Sequence, residues 1–130
     1  MQMNPSVTRI SFASLTHTGQ YTDNYPFGVA MVAAYIKKHF GNTVDVEIYK
    51  HPVEFASDLD EFIPPIICFS TYVWNLQISY EFARRIKERS PKTIVVFGGP
   101  NFPLTFNEQK RFLLELPFVD FFIFREGEYA

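Results

Sequence analysis

The stretch Thr93-Ile94-Val95-Val96-Phe97-Gly98-Gly99-Pro100-Asn101-Phe102-Pro103 decides the fold. Thr93–Phe97 is an unbroken run of β-branched and aromatic residues, and Gly98-Gly99-Pro100 stops it at once. A short, wholly apolar run bounded by Gly and Pro is the pattern of a strand buried on both faces. Strands of that kind occupy the middle of parallel sheets with helices over both faces. In open sheets of this class, ligands bind in the crevice beyond the carboxyl ends of the strands, which is where Gly98 and Gly99 fall. Glycine there lets the backbone approach a ligand closely or take a positive φ. A plain strand-to-helix turn has the same composition, so this stretch alone leaves both readings open.

The flanking sequence alternates strand and helix patterns. Val7–Ala13 reads as a first strand, followed by a long polar loop, Ser14–Asn24, of a length often found at functional sites. A helix is expected from Tyr25-Pro26, capped by Asp23 or Asn24, with Val29, Val32, Ala33, Ile36 and Phe40 on one face. Lys37, Lys38 and His39 suit the negative end of its dipole, and Gly41 ends it. Thr43–Tyr49 alternates as a half-exposed strand near a sheet edge. Pro52–Phe62 is a weak acidic helix, Ile66–Phe69 a short apolar strand, and Val73–Arg89 a helix with Ile78, Phe82 and Ile86 inward. Thr105 and Glu108 fit a capping box that opens a helix Phe106–Leu116, and Val119–Phe124 is the last strand. Five strands joined by right-handed helical crossovers predict an α/β, Rossmann-like three-layer sandwich with a flavodoxin-like parallel sheet of order 2-1-3-4-5.

The chain has 130 residues, 47% hydrophobic and 20% charged, enough for one domain, residues 1–130, with a real core. Aromatic residues reach 18%, 15 of the residues being Phe, a surplus that suits a partner domain or a large flat ligand as well as a core. A net charge of −2 gives no reason to expect nucleic acid or an anionic membrane as partner. A single cysteine, Cys68, allows no disulfide within the chain and no cysteine metal cluster, and inside an apolar strand it reads as inert. With no apolar stretch of membrane-spanning length and no signal-peptide pattern at the amino terminus, the expected location is cytoplasmic.

Three strand ends converge on one rim: Ser70-Thr71-Tyr72, Gly98-Gly99-Pro100 and Arg125-Glu126-Gly127-Glu128. The Ser14–Asn24 loop reaches the same rim. Small hydroxyls and glycines at two central strand ends suit an elongated group sliding between sheet and helices, which is a binding constellation rather than a catalytic one. Each member also has a plainer role. Ser70 is placed to cap the next helix, Glu126 and Glu128 to be solvated loop carboxylates, His17 to be a solvated loop histidine rather than a metal ligand, and Trp74 to be core rather than a platform for a ring. A phosphoacceptor domain needs an Asp where Ser70 stands, and a dinucleotide fold needs G-x-G-x-x-G after the first strand; neither is present. Ser14-Leu15-Thr16-His17-Thr18-Gly19 loosely echoes a flavodoxin phosphate loop, which keeps an FMN-binding module as one alternative. A degenerate Rossmann-like domain with a structural or interaction role and no bound cofactor is the other.

Taken together, the chain resembles the N-terminal cobalamin (B12)-binding domain of radical S-adenosylmethionine enzymes. The resemblance rests on Tyr25-Pro26-Phe27-Gly28 leading into Ala33-Ala34-Tyr35-Ile36; Phe69-Ser70-Thr71-Tyr72 with Asn75; Ile86-Lys87 through Ser90-Pro91; Val95-Val96-Phe97-Gly98-Gly99-Pro100-Asn101; and Val119-Asp120 through Arg125-Glu126-Gly127-Glu128. The last is a G-E-G-E-type signature with Arg125 in place of its first Gly. The resemblance implies that Ser70, Gly98 and Gly99, with Pro100 beside them, line a slot for the nucleotide tail of cobalamin. It puts Thr71, Tyr72 and Val73 near the corrin, Glu126 and Gly127 on the far side, and the Ser14–Asp23 loop under the corrin's lower face. A branched side chain at Ser70 or Gly99 is then expected to fill the slot and leave the chain folded. The Asp-x-His-x-x-Gly pattern that supplies a lower cobalt ligand in other B12 proteins is absent around His17, so the resemblance implies base-off, His-off cobalamin and no protein metal ligand. The Cys-x-x-x-Cys-x-x-Cys motif of the family's [4Fe-4S] cluster is also absent. The chain is accordingly expected to be a binding module, not an enzyme by itself, excised from a parent chain with a C-terminal radical SAM domain, a [4Fe-4S] cluster and S-adenosylmethionine, possibly a methyltransferase.

Overall fold

A computed structural model of the chain describes residues 6–16 and 25–129. Five strands, β1 (Thr8–Ala13), β2 (Val44–Tyr49), β3 (Ile66–Ser70), β4 (Ile94–Gly98) and β5 (Phe121–Ile123), form one sheet. Its order is β2-β1-β3-β4-β5 and every neighbouring pair is parallel. Four helices, α1 (Phe27–Phe40), α2 (Pro52–Glu61), α3 (Leu76–Arg89) and α4 (Phe106–Leu114), alternate with the strands. Both the fold class and the strand order agree with the sequence pattern.

The two faces of the sheet are covered unequally. On one face Ala13, Ile67, Phe69, Val95 and Phe97 bury against Phe55 and Leu59 of α2 and Ala83 and Ile86 of α3. Phe112 of α4 meets Phe122 of β5 edge-on, 5.8 Å between ring centroids, on the same side. On the other face Ile10 and Phe12 bury against Val29 and Ala33 of α1 alone. Phe40, expected on the buried face of α1, is 58% exposed, because no described helix lies beside α1 to cover its last turn.

Two elements, α3 and β5, are three residues shorter than the sequence pattern, each for a local reason. Residues 73–75 form a turn and α3 starts at Leu76, with Asn75 at its N-cap. The Asn75 amide is 1% exposed and ties that turn together: its oxygen accepts from Tyr72 N (2.7 Å) and its nitrogen donates to Leu15 O (3.1 Å) and Ser70 O (3.0 Å). Strand β5 is three residues rather than six, and Asp120 just before it meets Val95 twice: its backbone N–H donates to Val95 O at 2.9 Å, and its side chain takes the place of a ladder carbonyl. Its carboxylate accepts from Val95 N at 2.8 Å and pairs with Lys87, whose ammonium also donates to Thr93 O. At α4 the Thr105 hydroxyl donates to the Glu108 carboxylate at 2.6 Å, a side-chain pair in place of the reciprocal backbone bonds of a full capping box. The expected cap of α1 at Asp23 or Asn24 lies outside the described residues; Pro26 stands at its N-cap position. No helix among the described residues is long and apolar enough to cross a membrane.

Candidate functional site

Strand register puts Ser70 of β3 opposite Gly98 of β4, and Gly98 opposite Ile123 of β5. Side chains alternate along a strand, so Ser70 and Gly98 share the α1 face with Cys68 and Val96. A cleft of about 730 Å³ opens there between α1 and the carboxyl halves of β3 and β4. That volume is in the range of small-molecule sites, about 300–1,000 Å³. Val29, Val32 and Ile36 of α1 form one wall, and Ile123 with Arg125, Glu126, Gly127 and Glu128 closes the top.

The two glycines do different work. A Cβ on Gly98 would meet nothing nearer than 3.9 Å, at Ile123, so this residue leaves space open in the cleft. A Cβ on Gly99 would fall 1.9 Å from Thr71 O, and its φ of 146° belongs to a region other residues rarely enter. Gly99 is therefore required by the backbone crossing of the β3 and β4 ends. This corrects the expectation that a branched residue at Gly99 fills the slot in a folded protein: the obstruction is Thr71 backbone, not the cleft.

Of the other expected site residues, Ser70, Tyr72, Glu126 and Gly127 line the cleft; Thr71, Val73 and Pro100 do not. Thr71 is fully buried, and its hydroxyl lies 3.2 Å from Gly98 O and 3.0 Å from Asn101 Oδ1 while its N–H donates to Gly98 O at 2.6 Å. It locks the two strand ends. Val73 is 84% exposed, in the turn beside the mouth. Ser70 does not cap α3, since Asn75 holds that position five residues later. Trp74 is a correction to the core assignment: it is 61% exposed and stacks on Tyr72, with centroids 4.6 Å apart and planes 5° from parallel. A flat aromatic pair thus stands at the rim, with its Tyr72 member lining the cleft.

Arg125 has a φ of 67°, the left-handed region, which explains why glycine is the residue of the signature it interrupts. Its guanidinium sits 5.1 Å from the centre of the Phe124 ring. Cys68 is half-buried in the cleft floor, and burial pushes its thiol up to about 12, so it stays protonated and inert at neutral pH. No cluster of His, Cys, Asp or Glu among the described residues is arranged to hold a metal ion. His17 and most of the loop expected beneath the corrin, residues 17–24, lie outside the described residues. Cys68, Val96 and Asn75 were not among the predicted site residues. For the first two the signal was available, as the residues two before Ser70 and Gly98 on the same side of their strands.

The cleft has room, an apolar lining, a strand-end opening and an aromatic plate at its mouth, which fits a long narrow group joined to a broad flat one. Comparison with known proteins points the same way. The B12 binding domain family matches residues 20–130. A 2-(S-pantetheinyl)-carbapenam-3-carboxylate methyltransferase from Streptantibioticus cattleyicolor is 39% identical over 87 residues, 63% of this chain and 12% of that protein. The cobalamin-dependent radical SAM methyltransferase TokK from Streptomyces tokunonensis is 32% identical over 87 residues, with the same coverage. The aligned segment is thus about one eighth of each curated relative's length. A crystal structure of a cobalamin-binding protein from Desulfitobacterium hafniense superposes with a TM-score of 0.64 at 17% identity, over 95% of this chain and 56% of that one, which shows the shared fold. The match over most of the chain, on this sheet order, places the chain in the B12-binding domain family.

Proposed function

We propose that the chain is a cobalamin-binding module in which the nucleotide tail enters the cleft between Ser70 and Gly98 and the corrin lies across the rim. The observation that carries this reading is the open space over Gly98, on the α1 face and beside the Ser70 side chain, at the carboxyl ends of β3 and β4. The Ser70 hydroxyl offers the tail a hydrogen-bonding group, and Val32, Ile36 and Val96 flank it with apolar surface. Glu126 and Gly127 close the far side of the slot. Tyr72 and Trp74, stacked and open at the mouth, provide a flat surface for a flat macrocycle, with Val73 beside them; Thr71, Gly99 and Pro100 act by holding the strand ends that frame the slot.

A tail inserted between sheet and helix cannot also reach back to the metal, so the bound form is base-off. His17 lacks the Asp two residues earlier that would hold its tautomer, as partners of metal-bound histidines commonly do. The bound form would therefore also be His-off; most of the Ser14–Phe27 region, which this reading puts beneath the corrin, lies outside the described residues. Both relatives are named methyltransferases and TokK a cobalamin-dependent radical SAM one, which supports a parent chain of that kind, in which a C-terminal domain supplies the iron–sulfur cluster and S-adenosylmethionine and this module contributes binding alone. A cytoplasmic location goes with that reading, since the chain's one cysteine builds no disulfide.

The test is to add hydroxocobalamin to the purified chain and follow the corrin spectrum and co-elution on gel filtration. A perturbed spectrum with co-elution is expected. A folded protein that does neither supports a domain without cofactor, and binding of FMN instead supports the electron-transfer alternative. The axial ligand is read from the EPR spectrum of the Co(II) complex: wild type and His17→Ala are expected to be identical, without nitrogen superhyperfine splitting, and splitting that vanishes in the variant would refute the His-off state.

A further inference from the structure

A second, smaller recess of about 200 Å³ lies on the other face of the sheet from the cleft, between β1, β2 and α2. Register pairs Arg9 with Asp45, Ser11 with Glu47 and Ala13 with Tyr49, so these side chains share the face on which Ala13 and Tyr49 meet Phe55 and Leu59. Ser11, Tyr49, Phe55 and Leu59 are buried and form the floor, and the exposed Glu47, Asp58 and Glu61 stand at the mouth. With Asp45, four carboxylates line the recess against one guanidinium. That guanidinium, of Arg9, is already engaged, its Nε 3.7 Å from Asp45 and its centre 5.1 Å over the Phe62 ring. The Tyr49 phenol oxygen lies 2.7 Å from Glu47 Oε2 and 2.8 Å from Asp58 Oδ2. Burial, then the bonds to those two carboxylates, hold the phenol proton well above its ordinary range, so one proton serves two negative groups. Ser11 is 2% exposed and lines the recess, and its hydroxyl makes no hydrogen bond among the described residues. A buried hydroxyl of that kind is unfavourable until something in the recess completes it.

We propose that this recess binds a small organic cation, a primary ammonium on a short alkyl stem, with its N–H groups on Glu47, Asp58 and the Ser11 hydroxyl and its stem against Phe55 and Leu59. The charge of the lining selects a cation and repels an anion. An ammonium has three donors and no acceptor, and the recess offers it acceptors from three elements, β1, β2 and α2. A planar guanidinium suits a single carboxylate gripped by two parallel bonds better than three separate acceptors. A divalent metal ion fits poorly, since no group of three His, Cys, Asp or Glu among the described residues is arranged to hold one. The volume lies below the roughly 300–1,000 Å³ of drug-sized sites, which limits the stem to a few carbons. The apolar floor gives that stem a place out of water, so charge and stem are recognised together. This inference is independent of cobalamin, because the cleft at Ser70 and Gly98 opens on the α1 face.

The test titrates the 130-residue chain with n-butylammonium chloride. The comparison titrations use n-butanol, which keeps the stem without the charge, and potassium and calcium chloride at matched ionic strength. Backbone amide NMR signals of Ser11, Glu47 and Asp58 and the methyl signals of Leu59 are expected to shift saturably with butylammonium and not with the other three. Asp58→Asn, which keeps an acceptor for Tyr49 but removes a charge, is expected to weaken binding at least about tenfold, and Ser11→Ala at least about threefold. Ser11→Ala should melt at or above the wild-type temperature, because it removes a buried hydroxyl without a partner; a melt by circular dichroism is the folding control for both variants. Absence of a saturable shift would mean that the recess holds water alone and would overturn the proposal. Equal shifts with butanol would make it an apolar crevice, and equal or larger shifts with either salt would make it a site for inorganic ions; both would overturn it too. So would folded variants that bind butylammonium as well as the wild type.

Discussion

Gly98 and Gly99 are adjacent, yet the structure predicts opposite responses to the same added methyl group. At Gly99 a Cβ would lie 1.9 Å from Thr71 O and 2.9 Å from Thr71 C, both backbone atoms that cannot rotate away. Relief requires the β3 and β4 ends to part by more than an ångström, which breaks the 2.6 Å bond from Thr71 N to Gly98 O. The lost hydrogen bond is worth about 1 kcal/mol, overpacking adds about 1–3 kcal/mol, and the unfavourable φ of a non-glycine residue adds about 1–3 kcal/mol. Gly99→Ala should therefore cost at least about 3 kcal/mol, a large part of the 5–15 kcal/mol typical of a domain. For a chain of this size that lowers the melting temperature by roughly 10 °C. Gly98→Ala, with nothing nearer than 3.9 Å, should be neutral or stabilising by about 0.5 kcal/mol, because glycine inside a strand is itself unfavourable. Thermal melts by circular dichroism, checked by urea unfolding, measure the difference. Equal losses in the two variants would refute the assignment of Gly99 to backbone crossing and Gly98 to open space.

Other perturbations follow from individual contacts. Asp120→Ala removes the acceptor of Val95 N–H and leaves Lys87 without its ion-pair partner, so urea unfolding should show a loss of about 2 kcal/mol, and Asp120→Asn, which keeps an acceptor, a smaller one. Arg125→Gly should be neutral or stabilising by about 0.5 kcal/mol because it relieves a left-handed φ of 67°, whereas Arg125→Val should cost about 2 kcal/mol in the same assay. Burial raises the Cys68 thiol from its ordinary 9.0 to about 12, so between those values the unfolded chain loses a proton that the folded chain keeps. Stability should fall as pH rises through that window, by at most about 3 kcal/mol at pH 11, and Cys68→Val should remove that part of the alkaline loss.

The fold was legible because its signals were redundant. Thr93–Phe97 and Ile66–Phe69 have no polar residue facing solvent, which only a sheet covered on both sides accommodates, and the helices between them carry period-3.6 apolar faces. The ends of elements were less legible, because they depend on tertiary hydrogen bonds. Asn75 delays α3 by bonding to Leu15 in the distant β1 loop, and just before the short β5 the Asp120 side chain bonds to Val95 across the sheet. At the site, Ser70 and Gly98 could be read from strand parity. The separation of Gly98 from Gly99 could not, since it rests on a backbone contact with Thr71 that no local pattern encodes. Trp74 was misread for a similar reason: the turn at residues 73–75 rotates it out of the helical face that Val73–Arg89 would have given it.

The central claim is that the space over Gly98 receives the tail of cobalamin. Equilibrium dialysis of hydroxocobalamin against the wild-type chain and Gly98→Val tests it most directly, with melting temperature as the control for folding. The account predicts saturable binding to the wild type and a loss of at least about tenfold in affinity, or about 1.4 kcal/mol, in a variant that melts at or above the wild-type temperature. Undiminished binding by a folded Gly98→Val would contradict it, and would mean that the tail lies elsewhere on the rim.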